Sequence, residues 1–343
     1  MLKLLDFQLR RTNFVDEGGV PIAETDNAVR FKDFAELFRG DGHYEAELWK
    51  LGRALFDEIP TLANGEVAGE IRVDADSLVR KNAVSDWLTN YLAPVAEREI
   101  SSKDKSPRAV FSLLVANQVT RATSTAIDGG DLRLATLIAQ AGSGGDFQSS
   151  MEQQLEVWRK QDVDAHIDPS YRRVYALLAG IVDVLEAGAS AEKVVMTEDL
   201  SWLQALGLHL WFGTPLEQPL PDVINNYQAH LKSDYPPAQP LVANSEAEDA
   251  MFGLFKVFMD QATPATCLAN SATYGKPSMD VRVQWHLLDL MINVFGFGTS
   301  EEQVMESVQT FDRLTVGYAS QLEQEGLWEY AIFVLLHLDK EVP

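Results

Sequence analysis

The chain has 343 residues and 46% of them are hydrophobic, so it can bury a large core, and wholesale disorder is excluded. Its formal net charge of −23 repels phosphates, and we expect no direct contact with nucleic acid. No stretch approaches the ~18 apolar residues of a membrane helix, so no membrane insertion is expected. The single cysteine, Cys267, is predicted to be a small buried residue in a reducing compartment.

Residues 1–30 differ from the rest, because Gly18-Gly19 and Pro21 interrupt any regular pattern, and they are predicted to form an extended lead-in. From Phe31 onward, apolar residues recur at helical spacing, which predicts about a dozen helices. Pro94 interrupts the pattern that begins near Val84. Later helices are predicted over residues 109–118, 132–141, 146–160, 170–180, 198–212, 221–231, 245–261, 280–295, 299–324 and 327–338.

These features predict an all-α protein with almost no strand. The connections between most helices are short, so neighbouring helices should pack antiparallel. No fixed repeat period emerges, which argues against a regular tetratricopeptide or ankyrin array. The sequence therefore predicts an irregular, solenoid-like stack of helix pairs. The last predicted helix is apolar on most sides, which predicts a buried Trp328.

One predicted helix has a narrow apolar stripe made of Met151, Leu155 and Trp158. Methionine is adaptable and tryptophan is a common hot-spot anchor, so the stripe is a candidate partner-binding surface. Glu152 and Arg159 flank it and would form a polar rim. Ordinary core packing of the same three residues fits the pattern as well.

No catalytic, cofactor-binding or metal-binding motif is found. The glycine-rich segment 142–145 lacks the preceding strand and the lysine of a phosphate-binding loop. The six histidines do not have the spacing of metal ligands. We therefore expect no enzyme activity and no cofactor. Two alternatives stay open: a helical adaptor or transport receptor, and an all-helical enzyme with unrecognised Asp and His residues.

Several strings in consistent order, from about Leu4 to His337, resemble the nucleoporin 96 family, which is the same as the C-terminal half of nucleoporin 145. They are FKDFAELF at 31–38, LGRALFDEI at 51–59, YRRVYALLAG at 171–180, LSWLQALGLHLWF at 200–212 and YASQLEQEGLWEYAIFVLLH at 318–337.

The resemblance implies the ancestral coatomer element, a helical chain that folds back on itself into trunk, crown and tail. Residues 1–30 would form the lead-in and 31–106 the first part of the trunk. Residues 107–215 would form the crown, and 216–343 the returning part of the trunk. The propeller-binding blade would lie before Leu4 and the tail beyond His337, so a fragment lacking both is expected.

The resemblance also implies a function. The family is a structural scaffold in the Y-shaped coat of the nuclear pore complex, at the nuclear envelope, and supports transport of mRNA and protein. Its crown docks on nucleoporin 107, also called nucleoporin 84, and its blade completes the Sec-thirteen β-propeller. Crown docking would then use Met151, Leu155 and Trp158, with Glu152 and Arg159 at the rim.

Overall fold

A computed structural model describes residues 2–17, 19–40, 43–58, 69–101, 104–141, 145–260, 263–275, 277, 280–298 and 303–338, without the side chains of residues 17 and 69–75. Across these ranges the chain is mostly helical, which confirms the predicted fold class. Two small antiparallel hairpins are the exception. In the same ranges, no helix has both the length and the apolar character needed to cross a bilayer.

The helices are α1 (Leu2–Arg10), α2 (Phe31–Leu37), α3 (Tyr44–Phe56), α4 (Gly69–Glu99), α5 (Pro107–Val115), α6 (Val119–Asp128), α7 (Leu132–Ala139), α8 (Gly145–Lys160), α9 (Pro169–Leu178), α10 (Trp202–Leu208), α11 (Leu220–His230), α12 (Ala250–Met259), α13 (Arg282–Asp289), α14 (Val304–Gln324) and α15 (Trp328–Leu335). Strands β1 (Thr12–Glu17) and β2 (Val20–Thr25) form one hairpin, and β3 (Val184–Leu185) and β4 (Val194–Val195) the other.

The chain divides into two compact units. Unit 1 consists of Met1–Glu58 and Pro240–Pro343, and unit 2 of Ile59–Gln239. The boundaries predicted for trunk and crown stay predictions.

Unit 1 has an aromatic core. Phe31, Phe34, Trp49 and Trp285 are all buried, and the rings of Phe34 and Trp49 stack with centroids 4.6 Å apart. Gly52 allows this packing, because a Cβ at that position would lie 2.1 Å from the ring of Phe31. Aromatic pairs of this kind stabilise a core beyond the area they bury.

The start of the chain is more regular than predicted. Instead of an extended lead-in, it forms α1 followed by the β1–β2 hairpin. The helix forms because Leu4, Leu5 and Gln8 share one face at i, i+1 and i+4, and that face is buried in unit 1. The hairpin register pairs Phe14 with Ala23.

A buried carboxylate ties this segment to α13. Asp289 accepts hydrogen bonds from the side chains of Gln8, Thr25 (2.7 Å) and Asn293 (2.8 Å). His286 extends the network, because its Nδ1 donates to the Gln8 side-chain oxygen. A buried charge is tolerated when hydrogen bonds surround it, as they do here.

A second carboxylate closes the N-terminus of α2. Asp57, the residue after α3, accepts the backbone N–H of Phe31 at 2.9 Å and of Lys32 at 2.8 Å. Both donors would otherwise lack partners in the first helical turn. Burial raises the pKa of Asp57 above its usual value.

Unit 2 has a mainly aliphatic core, in which one cluster combines residues of α5 through α10. Helix α4 runs through Pro94 to Glu99, so the predicted break is wrong. A proline removes one backbone hydrogen bond and bends a helix, but it does not end a helix whose buried face continues on the other side. Leu92 and Ala96, on either side of Pro94, are both buried.

Candidate partner-binding surface

Helix α8 carries the five residues that the sequence predicts as a docking surface. Asp146 lies in its first turn, and Arg159 and Lys160 lie in its last, which suits the helix dipole at both ends. Glu156 accepts two 2.8 Å hydrogen bonds from Arg159. These bonds, with one from Lys160, lower the pKa of Glu156 to about 2.

The apolar stripe of α8 is covered more completely than expected. Met151 and Leu155 are each 7% exposed and belong to the core cluster of unit 2. For these two residues the burial therefore favours the core-packing alternative. The sequence shows which residues share a face, but not that α9, packed on α8, covers that face.

Trp158 is half-buried. Its ring meets Tyr175 of α9 edge to face, with centroids 5.6 Å apart. The ring centroid of Tyr175 in turn lies 6.1 Å from that of Tyr171. This aromatic row leaves part of the Trp158 surface accessible.

Two depressions flank α8, and all five predicted residues line one or the other. A groove of about 540 Å³ contains Glu152, Leu155 and Arg159, with residues 181, 183–186 opposite. A smaller pocket of about 260 Å³ contains Met151 and Trp158. The buried residues therefore form the floors, while the charged and half-buried residues form the walls.

Other exposed apolar residues of unit 2 were missed by the sequence reasoning. Val157 is 44% exposed on the outer side of the helix. Leu132 and Ile127 are also exposed, at the two ends of the turn between α6 and α7. Sequence periodicity carries no signal for them, because it does not show which helix faces are covered by neighbours.

A second apolar surface lies on α15 and corrects two predictions. Trp328 is 60% exposed, and Ile332 and Leu335 are exposed on the same face. The helix buries Phe333 and Val334 instead. The prediction failed because a helix that is apolar on most sides has no polar face from which its orientation can be inferred. Cys267 is also exposed rather than buried.

The next question is whether side chains able to bind a metal or act in catalysis come together in the described part of the chain. Within those ranges, no group of three or more His, Cys, Asp or Glu side chains could hold a metal ion. His209 and His230 form a buried pair, with His209 Nε2 3.0 Å from His230 Nδ1. Residues 142–144 of the glycine-rich segment lie outside the described residues.

Both units are built from helices packed on aromatic or aliphatic cores, which places the chain in the class of all-helical proteins. The nuclear protein 96 (Nup96) family matches residues 108–343 of the chain. The chain therefore belongs to the Nup96 family of nucleoporins. This confirms the resemblance read from the sequence strings.

Curated relatives agree with this assignment. Nucleoporin nup189 of Schizosaccharomyces pombe is 28% identical over 98% of the chain and 20% of its own length. Nuclear pore complex protein Nup98-Nup96 of Drosophila melanogaster is 28% identical over 87% of the chain and 15% of its own length. Nuclear pore complex protein NUP96 of Arabidopsis thaliana is 27% identical over 80% of the chain and 26% of its own length. The chain thus spans about a quarter or less of these relatives.

Proposed function

We propose that the chain is a structural segment of the Y-shaped coat of the nuclear pore complex, and that its crown, residues 107–215, docks on the crown of a nucleoporin 107 relative. Family membership supports the scaffold role. The pair of depressions beside α8 carries the docking proposal, because partner side chains can enter both while the helix between them stays rigid.

The proposed docking surface is the exposed side of α8. Trp158 and Val157 supply apolar contact area, and Glu152 and Arg159 supply orientation at the rim. Met151 and Leu155 support the surface from beneath, where they hold α8 in place. Joints of a coat must last, so we expect an interface of about 1,600 Å² or more in total.

A matched pair of substitutions tests this surface. Val157→Asp places a charge on the exposed side of α8, whereas Val316→Asp places one on α14 in unit 1, at a residue that is 50% exposed. We expect the first to weaken binding to a crown fragment of a nucleoporin 107 relative by about tenfold or more, because a charge is desolvated at the interface. The control should bind within about twofold, as measured by titration calorimetry.

Melting temperatures of both variants should stay within a degree or two of the parent, since both sites face solvent. Equal affinity of Val157→Asp and the parent, with both folded, would place the docking surface elsewhere. An equal loss of affinity for both variants would show that the added charge acts through the net negative charge of the chain and not at a particular surface.

The trunk is proposed to contact the Sec-thirteen β-propeller. Unit 1 exposes Phe14 on β1, and its ring lies 6.5 Å from the ring of Phe333 of α15, centroid to centroid, so the hairpin presents an exposed aromatic side chain that α15 supports. Gel filtration of the chain with a Sec-thirteen relative tests this. Comigration that is lost with Phe14→Ser supports the proposal, and separate elution of the parent chain contradicts it.

A further inference from the structure

The smaller of the two depressions beside α8 lies between α7 and α8, and Tyr175 of α9 completes its wall. We call it the α7–α8 pocket. Its volume is about 260 Å³, below the ~300 Å³ at which small-molecule sites usually begin. The size therefore suits one large side chain of another protein better than a cofactor.

The interior of the α7–α8 pocket is apolar, and the core of unit 2 supports it. Met151 forms the floor and is itself part of that core. Leu137 of α7 and Phe147 of α8 are half-buried walls that pack against the same core. The rings of Trp158 and Tyr175, edge to face, complete the lining. Rigid aromatic walls over an adaptable methionine are well suited to receive an apolar side chain.

Arg133 is the only charged residue among the described residues that line this pocket. It is exposed and has no ion pair with a described carboxylate. The carboxylate of Asp131, two residues earlier, is already used, because it accepts the backbone N–H of Leu134 at 2.8 Å and the side chain of Tyr171. In a chain with a formal net charge of −23, an unpaired cation beside an apolar pocket indicates a negatively charged group on the molecule that enters it.

We propose that the α7–α8 pocket receives one large apolar side chain of a partner helix, and that Arg133 binds a carboxylate one turn away on the same helix. The proposal rests on the docking proposed for α8 and places the anchor on one side of that helix. Two helices that flank an apolar pocket form the kind of groove in which an amphipathic partner helix binds. Residues three or four apart on that helix would present the apolar side chain and the carboxylate together.

The groove on the other side of α8 has a different character. Its lining carries four carboxylates, and Arg159 is the one cation among the described residues there. Glu156 already accepts two 2.8 Å hydrogen bonds from Arg159. Contacts with a partner in that groove would therefore contribute orientation more than affinity.

A pair of small probes tests the pocket without any protein partner. The probe 4-phenylbutyrate combines an aromatic ring with a carboxylate, and 4-phenylbutanamide is its neutral match. Each is titrated into the whole chain while the indole N–H signal of Trp158 is followed by NMR. We expect both to shift that signal with dissociation constants of about a millimolar. The carboxylate should bind about threefold more tightly than the amide, although the net charge of the chain repels it.

Two arginine variants assign the preference for the carboxylate. Arg133→Gln should abolish it, whereas Arg313→Gln, at an exposed arginine of α14 in unit 1, should retain it. The proposal is overturned by any of three results: no shift of the Trp158 signal, equal or weaker binding of the carboxylate in the parent chain, or a preference that survives Arg133→Gln.

Two neighbouring exposed glutamines of α8 show which depression receives the anchor of a protein partner. Gln154 lines the α7–α8 pocket and Gln153 lines the groove. Gln154→Trp should fill the pocket and weaken binding to a crown fragment of a nucleoporin 107 relative by about tenfold or more. Gln153→Trp should bind within about threefold of the parent. Calorimetry measures both affinities, and unchanged melting temperatures confirm that both variants are folded.

Failure of this inference can be told apart from failure of the docking proposed for α8. If Val157→Asp weakens binding but Gln154→Trp does not, the docking surface is right and the anchor pocket is wrong. If the parent chain does not bind the crown fragment, the docking proposal fails, and the probe titration still decides whether the pocket binds an apolar group beside a carboxylate. A dimer of the parent chain that Gln154→Trp dissociates, measured by sedimentation velocity, would show that a second copy fills the pocket and would overturn the partner helix.

Discussion

Unit 1 and unit 2 differ in how far apart in the sequence their contacting segments lie. In unit 1 the first helix and hairpin must find α13, nearly the whole chain away, and the buried hydrogen bonds of Asp289 mark that meeting point. In unit 2 most contacts join helices that follow one another, such as α5 with α6 and α6 with α7, over an aliphatic core. Short connections already select the neighbour in unit 2, whereas distant segments need directional contacts to fix their register.

The largest expected effect comes from breaking the meeting point in unit 1. Asp289→Ala leaves the donors of Gln8, Thr25 and Asn293 without their acceptor, and should lower the free energy of unfolding by about 3–5 kcal/mol. Denaturant unfolding measures the loss, and amide exchange should show early opening of α1. The control Glu306→Ala, at an exposed residue, should change stability by less than about 0.5 kcal/mol. A similar small loss for Asp289→Ala would mean that apolar contacts alone hold the N-terminal segment.

The next largest effect is expected in the apolar core of unit 2, beneath the proposed docking surface on α8. Leu155→Ala should lower stability by about 2–4 kcal/mol through lost burial and a cavity. Val157→Ala, two residues further along α8 at an exposed site, should lower the free energy of unfolding by well under about 1 kcal/mol. Thermal unfolding of the two variants compares them. Equal melting temperatures would indicate that Leu155 lies at the surface and not in the core.

Acid should weaken unit 2 through its histidine pair. Burial, with the neighbouring His230, lowers the pKa of His209 to about 4 in the folded chain, against ~6.5 when unfolded. The unfolded state then binds more protons between pH 6.5 and 4, so this part of the stability is complete above pH 6.5 and is lost as pH falls. We expect this residue to change the free energy of unfolding by up to about 1.4 kcal/mol per pH unit within that range.

His209→Gln tests the assignment, because glutamine can hydrogen-bond to His230 but cannot be protonated. The pH dependence of unit 2 unfolding, followed by amide exchange, should become flatter by about that slope. An unchanged slope would assign the acid sensitivity to His230 or to the buried histidines of unit 1.

The smallest effect is expected on α15. Trp328→Ala removes a side chain that is 60% exposed and should cost less than about 1.5 kcal/mol in the chain as it stands. The matched change Trp285→Ala, at a fully buried ring of unit 1, should cost about 3–5 kcal/mol. Denaturant midpoints compare the two, and similar losses would indicate that Trp328 is covered in solution.

These expectations show what the sequence could and could not predict. Helical periodicity was enough for the fold class, and strings such as those at 171–180 and 200–212 were enough for the family. Burial was predicted poorly where a helix is nearly all apolar, as at Trp328, or has a narrow stripe, as at Leu155. In both cases the answer depends on which neighbour covers the face, and periodicity carries no information about neighbours.

Long-range polar contacts were outside the reach of the sequence. Nothing in the pattern around Gln8 points to Asp289, because a buried hydrogen bond between distant segments leaves no local periodicity. The five candidate residues line two separate depressions on either side of α8, and two of them are buried in the core. Their division into floor and wall became visible only with the packing of α9.

The capping of α2 by Asp57 has a consequence for the order in which the chain takes shape during synthesis. Helix α2 has seven residues, fewer than the ~12–15 that an isolated helix needs to persist in water. Its first two N–H groups depend on a carboxylate that the ribosome adds about 25 residues later. We therefore expect α2 to stay unformed on the nascent chain until all of α3 and Asp57 have left the exit tunnel, so that the two helices appear together.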